Sequence, residues 1–176
     1  MARTCALLRG INVGGNHKLP MKELAALFEE AGCREIETYI QSGNVVFRPA
    51  RGDLKKLGVK LETTIEARFG FPAPIALFSG EEIASLEEAN PFLAEGCAED
   101  SLHVGFLRDA PKVGAALDMS RLDDERAALV GRALFLHLPK GVGRSKLTSA
   151  LLDKGMGTIV TLRNLRTVRE LARRAV

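Results

Sequence analysis

The chain has 176 residues, 46% of them hydrophobic and 27% charged, with a formal net charge of +3. That is enough apolar material for one domain or two small subdomains with a real core. No apolar run approaches the ~20 residues of a membrane span, and the N-terminus lacks the apolar stretch of a signal peptide, so a cytoplasmic protein with no membrane partner is expected.

Cys5, Cys33 and Cys97 are odd in number and far apart, which offers neither paired zinc-ligand spacing nor an even disulfide set, so they are expected to be plain thiols with no metal site. Charge is unevenly spread. Residues 144–176 hold eight Lys/Arg against Asp153 and Glu170, which points to an anionic partner near that end or to a solvated helix face. With no Trp and one Tyr, stacking platforms for single-stranded bases are few.

In chain order, Thr4–Arg9 alternates as a strand. It runs into a glycine-rich, basic loop, and Pro20 then opens a helix to Ala31, stopped by Gly32. Gly10, Gly14 and Gly15 permit backbone angles closed to other residues. Such a loop aims N–H groups outward, and with Arg9, Asn12 and Lys18 it favours negative charge; the alternative is a tight strand-to-helix connection. A Walker A loop is excluded, because Asn16 and His17 stand where Lys and Ser/Thr are required.

Glu35–Gln41 is a second strand, Ser42-Gly43 a turn, and Asn44–Arg48 a third strand. A helix from Asp53 to Gly70 and a strand Pro74–Phe78 complete a β-α-β-β-α-β order, that of a ferredoxin-like sandwich. In that topology strands one and two run parallel with the third between them. The loop after Arg9 and the turn Gln41, Ser42, Gly43, Asn44 therefore meet at one sheet edge, unless the turn residues are only good turn formers.

Ser79 with Glu82 forms a capping box for a linking helix that Asn90-Pro91 terminates. Residues 1–90 are thus read as one subdomain and 91–176 as a second. The second holds a strand Leu102–Leu107, a short helix near Lys112–Leu117, a hairpin of Arg126–Val130 with Ala133–Leu138, a helix from Ser145, a strand Thr158–Thr161 and a terminal helix. This repeats the order, so the expected fold is α+β, two ferredoxin-like subdomains packed together with a C-terminal helix. The loop Leu138–Thr148 brings Gly141, Gly143, Ser145 and Lys146 to a helix start, again suited to an anion or to simple capping. Arg163 and Asn164 sit at the last strand-to-helix junction. Leu165, Val168, Leu171 and Ala172 form the buried stripe of the final helix, with Arg166, Arg169 and Arg173 outside. His103 and His137 lie in alternating strands and read as structural; His17, in the glycine loop, is the one catalytic candidate.

The segments LLRGINVGG (7–15), TYIQSGNVVF (38–47), NPF (90–92), GRSKL (143–147) and TLRNLRTV (161–168) together resemble the bacterial family called domain of unknown function 1697. The resemblance implies two ferredoxin-like α+β subdomains and no established activity. The family's motifs map onto Arg9, Gly10, Asn12, Gly14, Gly15, Gln41, Ser42, Gly43, Asn44, Ser145, Lys146, Arg163 and Asn164. One departure is Leu165, where the family commonly has Trp; this matters if the aromatic stacks on a ligand and little if it packs in the core.

The leading expectation is a binder of a small phosphorylated or carboxylated ligand in a cleft formed by the glycine loop, the QSGN turn and basic C-terminal residues. Arg9, Lys18, Lys146 and Arg163 would supply charge, and Asn12, Gln41, Asn44 and Asn164 would orient polar atoms. No catalytic class and no cofactor follows from the residues. The alternatives are an RNA- or ribonucleoprotein-binding module, although the spaced strand aromatics of RNA-recognition sheets are absent, and a structural or oligomeric interaction protein.

Overall fold

The computed structural model describes residues 3–120 and 122–176. By contact density the chain divides into two units, Met1–Ala84 with Leu171–Val176, and Ser85–Glu170. Each carries a four-stranded antiparallel sheet.

In the first unit β1 (Thr4–Leu8), α1 (Met21–Glu30), β2 (Arg34–Tyr39), β3 (Asn44–Arg48), α2 (Leu54–Phe69) and β4 (Ile75–Ser79) follow one another, and the strands are ordered β2-β3-β1-β4. This is the expected β-α-β-β-α-β arrangement. The α1 residues Leu24, Leu27 and Phe28 join Leu61 and Ile65 of α2 over Ala6, Leu8, Val45 and Phe47 of the sheet. Phe28 meets Phe47 edge-on at 4.9 Å between ring centroids, a geometry that suits the ring quadrupoles. Asp53 caps α2 by accepting from the Lys55 amide at 2.8 Å, and Gly70 ends it at φ 80°.

The capping box forms as expected: the Ser79 amide donates to the Glu82 carboxylate at 2.7 Å, and the Glu82 amide to Ser79 Oγ at 3.1 Å. It opens α3 (Gly80–Ser85). Asn90-Pro91 does not end that helix, which stops earlier. Asn90 instead caps a new short helix, α4 (Pro91–Ala94), its Oδ1 accepting from Phe92 N at 3.1 Å and Leu93 N at 3.3 Å. Proline at the first helical position has no amide to lose, so Asn-Pro serves here as a start signal.

The second unit contains β5 (Leu102–Leu107), β6 (Arg126–Val130), β7 (Ala133–His137), α5 (Ser149–Met156) and β8 (Val160–Asn164), with sheet order β6-β7-β5-β8. Two expectations are corrected. The connection from β5 to β6 holds no helix among its described residues, so the segment near Lys112–Leu117 is irregular chain. It lies tight against α5: a Cβ on Gly155 would fall 2.8 Å from the Ala116 carbonyl oxygen, and one on Gly157 2.8 Å from Lys112 Cβ. The helix expected from Ser145 begins four residues later, because Thr148 is the cap that accepts from Leu151 N at 3.3 Å. The last helix, α6 (Leu165–Ala175), starts in the second unit, and Leu171–Val176 count with the first. Among the described residues no helix is long and apolar enough to cross a membrane.

Gly43 sets a tight steric condition beside the glycine loop. It adopts φ 80°, and a Cβ there would stand 2.8 Å from both Leu8 Cβ and Ile11 Cδ1. Gly43→Ala is therefore expected to cost about 1–2 kcal/mol for the left-handed backbone and about 1–3 kcal/mol for overpacking. Gly14→Ala, with open space around it, should incur only the backbone part. Urea denaturation of both variants checks the difference.

Candidate functional site

The register of the first sheet brings the glycine loop and the QSGN turn together. Asn44 is paired with Leu7 of β1 on one side and Tyr39 of β2 on the other. The chain leaving β1 and the chain leaving β2 thus emerge at the same end of the sheet. Leu8 N donates to Gly43 O at 2.8 Å, and Arg9 N to Pro74 O at 3.0 Å, which fastens the root of the loop to both neighbouring connections.

Asn12 ties the two loops. Its Nδ2 donates to Leu19 O at 2.8 Å, closing its own loop, and to Gln41 O at 2.9 Å, reaching the turn; its Oδ1 accepts from Leu19 N at 2.8 Å. Both amide hydrogens are thereby spent, so Asn12 positions the loops rather than presenting a free donor. Within the loop Asn12 N donates to His17 O and Asn16 N to Val13 O, both at 3.0 Å, forming a small finger tipped by Gly14 and Gly15. Fully buried Asn44 does for the turn what Asn12 does for the loop, donating from Nδ2 to Tyr39 O and Ser42 Oγ at 3.1 Å.

Backbone strain concentrates on the same two loops. Gly10, Gly14 and Gly15 have positive φ, and so do Asn12 (53°), His17 (50°) and Ile40 (48°). For Ile40 this is a true outlier, since a β-branched side chain crowds the left-handed region. Strain of this kind persists only where the surroundings over-determine it, and it clusters at ligand clamps and switches. Ile40 and Val13 are also exposed apolar residues, so the polar loop has an apolar margin.

His17 is held by two contacts. Its Nδ1 lies 2.9 Å from Gly10 O, which can only accept, so Nδ1 is the donor of this contact, and in the neutral ring Nε2 is the acceptor. Its ring stacks on Phe71 at 4.6 Å and 13°. Phe71 escaped sequence reasoning, because nothing local distinguishes an aromatic after a helix-ending glycine. Lys18, Gln41 and the Gly14–Gly15 tip are exposed, while Arg9 is half-buried.

The second unit's candidates have local duties. Ser145 Oγ accepts from Leu147 N at 3.0 Å, and Asn164 Oδ1 from Thr167 N at 2.8 Å, capping α6. Arg163 donates to Leu162 O at 2.8 Å, and burial pulls its guanidinium down to about 10. Lys146 Nζ lies 3.6 Å from Asp123. Leu165 is buried, so at this position the side chain packs. The basic C-terminal run is partly neutralised: Arg169 meets Glu87 and Glu99 at 2.6 Å each, and Arg174 lies 3.4 Å from Glu37 and over the Tyr39 ring at 5.0 Å. Among the described residues no group of three or more His, Cys, Asp or Glu is placed to hold a metal ion.

Asn12→Asp keeps the acceptor for Leu19 N and the tolerance for positive φ but removes both Nδ2 donors. It is expected to lower stability by about 1–3 kcal/mol and to speed amide exchange in the loop and turn together, measured by denaturation and hydrogen exchange. The thiols give a separate check. Burial pushes Cys5 up to about 12 and raises Cys33, whereas Cys97 is half-exposed and receives Arg126 Nη2 at 3.1 Å. Iodoacetamide at pH 8 should therefore label Cys97 first in the native protein and all three after unfolding.

No curated protein matches the sequence. The structure of conserved bacterial protein SP0830 from Streptococcus pneumoniae is similar at a TM-score of 0.75 and 25% identity, over 99% of this chain and 99% of that one. The model of the family of proteins of unknown function DUF1697 matches residues 1–135, and the chain belongs to that family.

Proposed function

We propose that the protein binds a small anionic ligand, phosphorylated or carboxylated, at the paired loops of the first unit. The observation that carries this reading is the placement of strain: among the described residues, three of the four non-glycine residues with positive φ, Asn12, His17 and Ile40, lie on the two loops that Asn12 ties together. A connection that only turned the chain would not need a β-branched residue in the left-handed region. The Gly14 and Gly15 amides at the exposed tip suit an anion, with Arg9 and Lys18 at the two ends of the loop supplying positive charge. His17 Nε2 is an acceptor for a ligand hydroxyl or a protonated phosphate oxygen.

Thermal-shift titrations with inorganic phosphate, sulfate, mononucleotides and sugar phosphates test the reading. Wild type should gain melting temperature with at least one anion. Arg9→Ala and Lys18→Ala should each lose binding free energy on the scale of a charge-assisted hydrogen bond, about 1.5–3 kcal/mol. Equal shifts in all three proteins, or none with any anion, would overturn it. A lower melting temperature for Arg9→Ala with the anion response intact would assign Arg9 to the fold alone.

A further inference from the structure

The end of the first sheet away from the glycine loop carries a concentration of positive charge. Asn44 faces Leu7 and Tyr39 at the loop end, whereas Arg34 of β2 faces Arg48 of β3 at the other. Like charges directly opposite on neighbouring strands cost stability. Strand β2 is irregular just here: its register shifts between Arg34 and Glu37, and Glu35 has φ 50°. A bulge re-aims side chains. The Glu35 carboxylate reaches Arg48 Nε at 2.7 Å, a pairing that leaves Arg34 out.

Two hollows lie side by side at this end. One, of about 350 Å³, is lined by Gly32, Arg34, Arg48, Pro49, Ala50 and Arg51. The other, of about 200 Å³, shares Ala50 and Arg51 with it and adds Lys56 and Lys60 of α2. Arg34, Arg51, Lys56 and Lys60 are exposed and have no carboxylate partner among the described residues. Neighbouring carboxylates are engaged elsewhere: Glu30 pairs with Arg68, and Asp53, in the wall of the smaller hollow, accepts from Lys55 N at 2.8 Å. Neither hollow has an aromatic ring in its described lining.

We infer that this end of the first unit binds the phosphodiester backbone of a nucleic-acid duplex without reading its bases. Arginine forks and lysine ammonium groups on both sides of Arg51 meet successive phosphates. With no ring to stack on, an unpaired strand gains nothing here beyond its charge, and a duplex presents phosphates more densely. A flat bilayer rests on a convex face, whereas these cations stand around hollows that a ridge of phosphates enters. The inference is independent of the paired loops and of Arg9 and Lys18.

Fluorescence anisotropy with labelled duplex DNA and duplex RNA of about 20 base pairs, in about 50–200 mM salt, tests it. At least one duplex should bind, the tighter of the two identifying the source, and two unrelated base sequences should bind equally. Four phosphate contacts give a slope of log affinity against log salt of about −3.6. Arg34→Ala/Arg51→Ala and Lys56→Ala/Lys60→Ala, all changes at exposed positions, should each make the slope shallower by about 2 and weaken binding about tenfold or more at the lowest salt, with unchanged circular dichroism. Arg9→Ala should have no effect. No binding of either duplex, unchanged affinity in either double variant, or equal affinity for polyglutamate or for phosphatidylglycerol vesicles would overturn the inference.

Discussion

The first unit is organised around a point where no side chain can stand. Gly43 turns the chain between β2 and β3 directly above Leu8 and Ile11, at a separation that leaves no room for a Cβ. Its carbonyl accepts from Leu8 N. Because the turn is pressed onto the root of the glycine loop, the Asn12 side chain can span from its own loop to Gln41 O. The order is one of dependence. The close approach at Gly43 permits the Asn12 bridge, and the bridge fixes the left-handed residues Asn12 and His17 against relaxation. The proposed ligand site would use this conformation, since backbone strain of this kind persists only where the surroundings over-determine it.

The two units solve the same topological problem differently. Both sheets place the third strand between the first and second and the fourth on the far side of the first. In the first unit two helices cover one face and share an aromatic core. In the second unit α5 is accompanied by a strap, and Leu117 and Leu122 pack partly buried beside Leu152 and Met156. A strap contributes fewer apolar side chains per residue than a helix with a continuous stripe. The glycines at 155 and 157 let it approach one end of α5.

Much of the fold was legible because its signals are local. Asp53 and Gly70 bracket α2, the Ser79/Glu82 pair caps α3, and the Ser42-Gly43 turn divides β2 from β3, each of which needs only neighbouring residues to form. The missed features depend on competition or distance. Ser145 and Thr148 are both hydroxyl residues ahead of helix formers, and which one caps is decided by where Leu152 and Met156 must sit to reach the core. Lys112–Leu117 has helical composition apart from Gly114, yet its backbone is committed to the end of α5. At the site, the meeting of loop and turn followed from strand order alone. The stacking of His17 on Phe71 and the strain at Ile40 arise from tertiary contacts that leave no pattern in sequence.

Net charge by stretch of sequence is a poor guide to where an anion would bind in this chain. Of the arginines on α6, Arg169 pairs with Glu87 and Glu99 and Arg174 with Glu37, and the hydrogen bonds that Arg169 donates to Glu99 and Glu87 hold its guanidinium above its ordinary range. Exposed pairs of this kind add little stability, but they reduce the positive potential that a nucleic acid would need along that helix. Arg9 and Lys18, the cations of the reading proposed above, stand instead at the two ends of the glycine loop. In the reading proposed for the first unit, Arg9 and Lys18 therefore act together with the glycine amides between them rather than through the density of charge along the sequence.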